Sequence, residues 1–317
     1  MKFIIIGAGG VGSFYGVKLK MIGHNVTFIA RNDNLEYLKN NKLKLTHPDF
    51  LFEDYVDVIS IEELDKIDPS MIDAIFIATK SMSTKLISKT LAKWIQHTHD
   101  VPYFISLQNG VENEDRMCEY LPKDKVIGGL TRLIAAHIIK IGEVESVGEV
   151  QTILGAVFPD KKNNDFLEIL KKQLDKTNTT TILTNNIKLE LWKKLIINNG
   201  VNAICALLEE KSGTLINDEK VSVLIYNLMK EAAIASHVVG VNISEDDANE
   251  MFELMKNFES IIPSMWMDKK NNRDLELDDI CGVVIKNCEK QGIDASYTRT
   301  ISTVLEYQYK KQKNSEK

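Results

Sequence analysis

The chain opens with an unbroken apolar run, Phe3–Ile6, that passes straight into Gly7-Ala8-Gly9-Gly10-Val11-Gly12. Apolar positions at Phe14, Tyr15, Val17 and Leu19 then predict a helix, and Asn25–Ile29 predicts a second strand where a strand–helix–strand unit requires one. Ile72–Ala78 and Tyr103–Leu107 are apolar runs of the kind buried on both faces of a parallel sheet. Val126–Leu130 begins another strand, and the segment up to about Val157 alternates enough to be strands covering the sheet edge. Pro159–Asn164 reads as a polar loop, Phe166–Leu174 as a helix and Thr179–Leu183 as a strand.

From Asn186 the periodicity becomes helical and stays so. Ile187–Leu208 is too apolar for a surface helix and is expected to be buried. Glu219–Val239 is amphipathic and closed by Gly240, and Ser244 caps a further helix, Glu245–Phe258. Pro263-Ser264-Met265 opens a segment with Asp268, Arg273, Glu276, Asp278 and Asp279, which on charge alone is a solvated helix start. A helix near Tyr297–Tyr309 runs into Lys310–Lys317, expected to be a disordered charged tail. The pattern predicts an α/β protein with two domains: a Rossmann dinucleotide-binding domain over 1–184, then a helical domain over 185–317.

Composition narrows the partners. A chain of 317 residues is long for one core and suits two. With a net charge of −6 there is no basic excess to favour nucleic acid. No apolar run approaches the roughly 18 residues of a membrane span, and the N-terminal run is a strand rather than a signal peptide. Cys118, Cys205, Cys281 and Cys288 lack ligand spacing with each other or with histidines, so they read as reduced packing residues of a cytoplasmic protein without a metal site. His24, His47, His97, His99 and His137 share no spacing and read as surface or core residues.

The glycine segment has the spacing G-x-G-x-x-G in a strand–turn–helix context. Gly7 permits the tight turn, Gly9 lets backbone approach a pyrophosphate, and Gly12 lets helix pack on strand. At the end of the second strand, where an NAD enzyme usually carries an acid, stands Ala30-Arg31-Asn32. The Arg31 guanidinium suits a 2′-phosphate and favours NADP; Asp33, two residues on, could serve the NAD role. Otherwise Arg31 is an ordinary solvated loop charge. Lys80 and Asn109 follow apolar strands, at the ends where parallel sheets bind ligands, although Asn109-Gly110 could be no more than a tight turn.

In the long apolar helix, Lys194, Asn198 and Asn202 recur every four residues. They form one stripe that drifts about 40° per step. Polar groups on such a face need partners, either within a helix bundle or on a ligand. Gly200 adds weight to the ligand reading, because an interior glycine costs about 1 kcal/mol relative to alanine unless something approaches closely.

Together these motifs resemble the ketopantoate reductase family over nearly the whole chain. The family's markers stand here as GAGGVG, Lys80, LQNG around Asn109, WKKLIINNGVNA around Lys194, and PSM followed by LELD. The resemblance implies NADPH-dependent reduction of 2-dehydropantoate to (R)-pantoate, a step of pantothenate and coenzyme A biosynthesis. The second domain would be an all-helical dehydrogenase domain, with cofactor and substrate in the cleft between the two. It also implies Lys194 as proton donor, Asn198, Asn202 and Ser264 as substrate ligands, and Ala136 (or Ala135) as a cofactor contact. Asn109 would bridge cofactor and substrate. Glu276 would accept from a ribose hydroxyl or from the substrate.

Pro263 stands where a second serine is common in the family, and Leu275 where threonine is common. These departures bear on substrate fit, so a reductase of another branched 2-keto acid is the alternative enzyme. A dinucleotide-sensing protein without chemistry is the rival from another class, and the intact Lys194–Asn202 stripe weighs against it. The expected partners are a small 2-keto acid and at most a second copy in a homodimer, with neither nucleic acid nor membrane.

Overall fold

The computed structural model describes residues 1–133, 135–257 and 260–315. The chain divides into two compact units. One is Met1–Gln108 with Glu112–Ile187; the other is Asn109–Val111 with residues 188 onward.

In the first unit β1 (Lys2–Ile6) leads into α1 (Gly10–Met21), and β2 (Asn25–Ile29) into α2 (Asn32–Asn40). Three short strands follow: β3 (Leu43–His47), β4 (Phe50–Asp54) and β5 (Asp57–Ile59). Next come β6 (Ala74–Ile77), α3 (Thr84–Trp94), β7 (Tyr103–Ser106), α4 (Asn113–Cys118) and β8 (Val126–Arg132). The unit closes with β9 (Ala135–Lys140), β10 (Glu143–Val147), β11 (Gln151–Ala156), α5 (Lys161–Asp175) and β12 (Thr180–Leu183).

Eight strands form one sheet in the order β12-β11-β8-β7-β6-β1-β2-β5. All neighbours are parallel except β8 and β11. The run β5-β2-β1-β6-β7-β8 is the doubly wound Rossmann order, and its winding reverses between β1 and β6, the point where such sheets bind ligands. Register pairs Ile6 with Ile29 on one side and Ile77 on the other, so Gly7, Ala30 and Ala78 leave the sheet side by side. Ile4, Ile5, Ile75 and Phe76 are fully buried, as a sheet covered on both faces requires.

The expectation that everything from Val126 to Val157 covers the sheet edge needs correction. Only β11 does so, antiparallel to β8. Strands β9 and β10 join β3 and β4 in a separate sheet, β4-β3-β10-β9. Its Leu43, Leu45 and Val144 share a core with Phe14, Tyr15 and Val17 of α1, which explains why α1 is buried around most of its circumference. The loop expected at Pro159–Asn164 is also shorter. Asp160 caps α5, its Oδ1 accepting from the Asn163 N–H at 2.8 Å while Asn163 Oδ1 accepts from the Asp160 N–H at 2.9 Å.

Among its described residues the second unit holds helices and no strand. It comprises α6 (Ile187–Leu208, from Lys188 on), α7 (Ser212–Ile216), α8 (Val221–Ser236), α9 (Glu245–Lys256), α10 (Ser264–Lys270), α11 (Val283–Glu289) and α12 (Ser296–Ser315). Phe258, the last residue expected in the Ser244-capped helix, lies outside the described residues. Trp192, Leu195, Ile196, Leu228, Met229, Val284 and Leu305 belong to one core.

Two buried polar clusters fix the helices. Asn199 Nδ2 donates to the Leu228 carbonyl (2.8 Å) and Thr298 Oγ1 (3.0 Å), while Glu231 accepts the Tyr297 and Thr298 N–H groups at the start of α12. Lys269, only 2% exposed, donates from Nζ to the Ala206 carbonyl, Glu209 Oε1 and Gln308 Oε1 at 2.8–2.9 Å.

The tail expected to be disordered is helical through Ser315, held by Lys313 Nζ to Asp274 Oδ1 at 2.8 Å and Gln312 Nε2 to Asn272 Oδ1 at 3.2 Å; residues 316–317 lie outside the described residues.

All four cysteines are free. Burial pushes the Cys205 and Cys281 thiols up to about 12 and Cys288 to about 11, as inert packing groups require. Among the described residues no cluster of histidine, cysteine and carboxylate side chains could hold a metal, and no helix is long and apolar enough to cross a membrane.

Candidate functional site

In the first unit the β1–α1 turn carries the anion-binding features. Gly7 has φ +104°, a left-handed conformation suited to glycine, and its N–H donates to the Ile29 carbonyl at 3.0 Å. The first intrahelical-type bond runs from the Ser13 N–H to the Gly9 carbonyl. Among the described residues the N–H groups of Gly9, Gly10, Val11 and Gly12 therefore have no acceptor, and they meet the positive end of the α1 dipole.

The glycines differ in what crowds them. A Cβ on Gly12 would collide with the Gly7 carbonyl oxygen, and one on Gly10 with the Ala136 carbonyl. A Cβ on Gly9 would meet nothing within 4 Å among the described residues. The first two glycines are required by the protein's own packing. Gly9 instead faces space that a ligand can fill, so the turn fits a pyrophosphate.

Of four further residues singled out from the sequence, one packs on this turn and three follow neighbouring strands. Ala136 on β9 packs on Gly10. Arg31 follows β2, is exposed, and its guanidinium forms no ion pair or hydrogen bond among the described residues. Asp33, two residues on, is exposed too. Lys80 follows β6 and is half-buried, its backbone held at φ −61°, ψ 140°.

Sequence reasoning missed two side chains here. Asn34 Nδ2 donates to the Ala8 carbonyl at 3.1 Å, bracing the turn from α2. Gln108, 3% exposed, donates from Nε2 to Thr79 and Lys80. No spacing marks either one: Asn34 looks like a helix-start residue, and Gln108 like filler before an Asn-Gly turn.

In the second unit, Asn109 Nδ2 donates to Glu276 Oε2 at 3.2 Å. Glu276 is 5% exposed, so the solvated reading of its segment is wrong; Asp268 and Asp279 are buried as well. On α6, Lys194 and Asn198 are half-buried and Asn202 is 4% exposed. Among the described residues neither the Asn198 nor the Asn202 amide has a hydrogen-bond partner. Both amides are therefore open to hydrogen bonds with a ligand. The neighbouring Lys193 pairs with Glu190 at 3.7 Å.

Gly200 does not belong with this stripe. A Cβ there would meet Met229 Cγ at 2.6 Å, so packing of α8 on α6 explains it. Ser264 begins α10 and is exposed, its hydroxyl without a partner among the described residues.

A doubly wound sheet whose switch point carries an anion-accepting glycine turn, continued by an all-helical unit, is the build of the Rossmann-type oxidoreductases. The sequence profile described as ketopantoate reductase PanE/ApbA matches residues 3–158, and that of its C-terminal domain matches 186–308. The chain belongs to this family of oxidoreductases.

A 2-dehydropantoate 2-reductase from Pyrococcus horikoshii is 27% identical over 300 residues, covering 93% of each chain. A solved structure of D-mandelate dehydrogenase with NADH and anilino(oxo)acetate shares the fold at a TM-score of 0.89 and 22% identity, covering 98% of this chain and 99% of that one. The structure of 2-dehydropantoate 2-reductase from Geobacter metallireducens does so at a TM-score of 0.82 and 23% identity, covering 97% and 99%.

Proposed function

We propose that this protein reduces 2-dehydropantoate to (R)-pantoate with NADPH. The observation that carries the reading is the α6 stripe, a lysine followed at four-residue steps by two asparagines whose amides have no partner among the described residues. Family membership and the P. horikoshii relative support it.

The N–H groups of Gly9–Gly12 receive the pyrophosphate, with Ala8 and Ala136 beside them, and Arg31 receives the 2′-phosphate. Lys80 serves the sugar and phosphate groups. When bound, NADPH supplies the hydride that the C2 carbonyl carbon accepts. The Lys194 ammonium stabilises the negative charge growing on the carbonyl oxygen and gives that oxygen its proton, so carbon gains the hydride and oxygen the proton. Asn198, Asn202 and Ser264 hold the substrate's carboxylate and hydroxyl, which aligns the carbonyl. Asn109, whose Nδ2 donates to Glu276 Oε2, bridges cofactor and substrate, and Glu276 accepts from a ribose hydroxyl or from the substrate.

A second reading, reduction of a different 2-keto acid, is favoured by Pro263 and Leu275 standing where the family commonly has serine and threonine. The test is the loss of reduced-nicotinamide absorbance with a panel of 2-keto acids, branched and aromatic, using NADPH and NADH. Ketopantoate is expected to give the highest kcat/KM. A higher value for another acid would transfer the assignment to it. Arg31→Ala is expected to raise the Kd for NADPH about tenfold and leave NADH nearly unchanged. Equal losses for both cofactors would refute the 2′-phosphate role.

A further inference from the structure

We propose that Gln108 is a positioning residue for the cofactor, holding the Thr79–Lys80 segment against the glycine turn; this rests on the cofactor reading above. Gln108 Nε2 lies 3.1 Å from the Thr79 carbonyl, 3.3 Å from Thr79 Oγ1 and 3.3 Å from the Lys80 carbonyl. Two of these are backbone carbonyls that can only accept, so the chemistry fixes which end of the amide faces them. At the other end the Thr84 hydroxyl lies 3.1 Å from Gln108 Oε1 and 2.9 Å from Asn113 Oδ1, two acceptors that share its single proton, so the amide oxygen and not the nitrogen faces it.

The segment so held carries Lys80 and also touches the turn. A Cβ built on Gly7 would lie 2.9 Å from Thr79 Cγ2 and 3.0 Å from the Ala78 carbonyl. The Lys80 carbonyl accepts in addition from the Ser83 N–H at 3.0 Å and Ser83 Oγ at 2.7 Å. Three donors on one carbonyl exceed what chain continuity needs, and they fix the backbone angles from which the Lys80 side chain departs. Gln108 supplies the donor that comes from a different strand end, so it ties the loop after β6 to the end of β7, on the two sides of which cofactor groups are proposed to bind.

The experiment is a fluorescence titration of the intact protein with NADPH, with thermal unfolding of each variant alongside. Gln108→Met keeps the volume and removes the donors. Gln108→Glu keeps an acceptor for Thr84 but turns a carboxylate towards two carbonyls. Each is expected to raise the Kd about tenfold. If the effect passes through Lys80, Gln108→Met in a Lys80→Ala background adds less than about twofold, because the two positions act as one unit.

A wild-type Kd in Gln108→Met, or an effect that multiplies in full with that of Lys80→Ala, would overturn the proposal. If both Gln108 variants fail to fold, Thr84→Val carries the test, since it removes the hydroxyl that Gln108 Oε1 shares with Asn113 Oδ1 and leaves the Gln108 donors in place. A Kd raised about threefold is then expected, and an unchanged one overturns the proposal. Wild-type protein that does not bind NADPH would overturn the cofactor reading first, and this inference with it.

Discussion

Lys194→Ala is expected to lower kcat for 2-dehydropantoate by about 10²-fold or more, while Kd for NADPH changes by less than about threefold. Lys194 sits on the half-buried side of α6, one turn before Asn198, with Leu195 and Ile196 behind it in the core. On the proposed mechanism the Lys194 ammonium acts in the transition state, where hydride arrival makes the carbonyl oxygen anionic and an ammonium stabilises that charge more than it stabilises the neutral carbonyl. Lys194→Arg keeps the charge but binds its proton too tightly to give it up, so it should recover only part of the lost rate. Stopped-flow and steady-state rates at saturating NADPH measure both variants. A Lys194→Ala enzyme turning over like wild type would remove lysine from the chemistry.

The second large effect separates two glycines three residues apart. Gly12→Ala would drive a methyl into the Gly7 carbonyl, which is backbone and cannot swing aside, so a stability loss of about 1–3 kcal/mol or more is expected. Gly9→Ala meets no atom within 4 Å among the described residues, and at φ −89°, ψ −165° its backbone suits alanine. Its melting temperature should match wild type. Its Kd for NADPH should still rise about tenfold or more, because the methyl enters the space over the unpaired N–H groups. Thermal unfolding and NADPH titration on the same two proteins check both halves. If Gly9→Ala binds NADPH as tightly as wild type, the phosphates do not sit on this turn.

What could be read from the sequence was local. The β1–turn–α1 segment announces itself because glycine spacing, an apolar strand and a helical period lie within nineteen residues, and α6 because its apolar run is long and regular. The sheet β4-β3-β10-β9 could not be read in this way. Its central pairing joins Lys44 to Glu143, 99 positions apart, and β4 carries charged residues that mimic a loop. Glu276 was misjudged because charge predicts exposure, whereas burial here is set by a partner, Asn109, 167 positions away. The tail's helix depends likewise on Asp274 and Asn272, contacts invisible to composition. Gly200 illustrates the opposite error, a packing requirement of α8 that looked like a mark of ligand binding.

The most direct test of the central claim is the fate of a label. With NADPH carrying deuterium at the transferred C4 position and 2-dehydropantoate as substrate, mass spectrometry should find pantoate bearing one deuterium at C2 for each NADPH consumed. NADPH consumed without labelled pantoate, or no turnover of this substrate at all, would contradict the account.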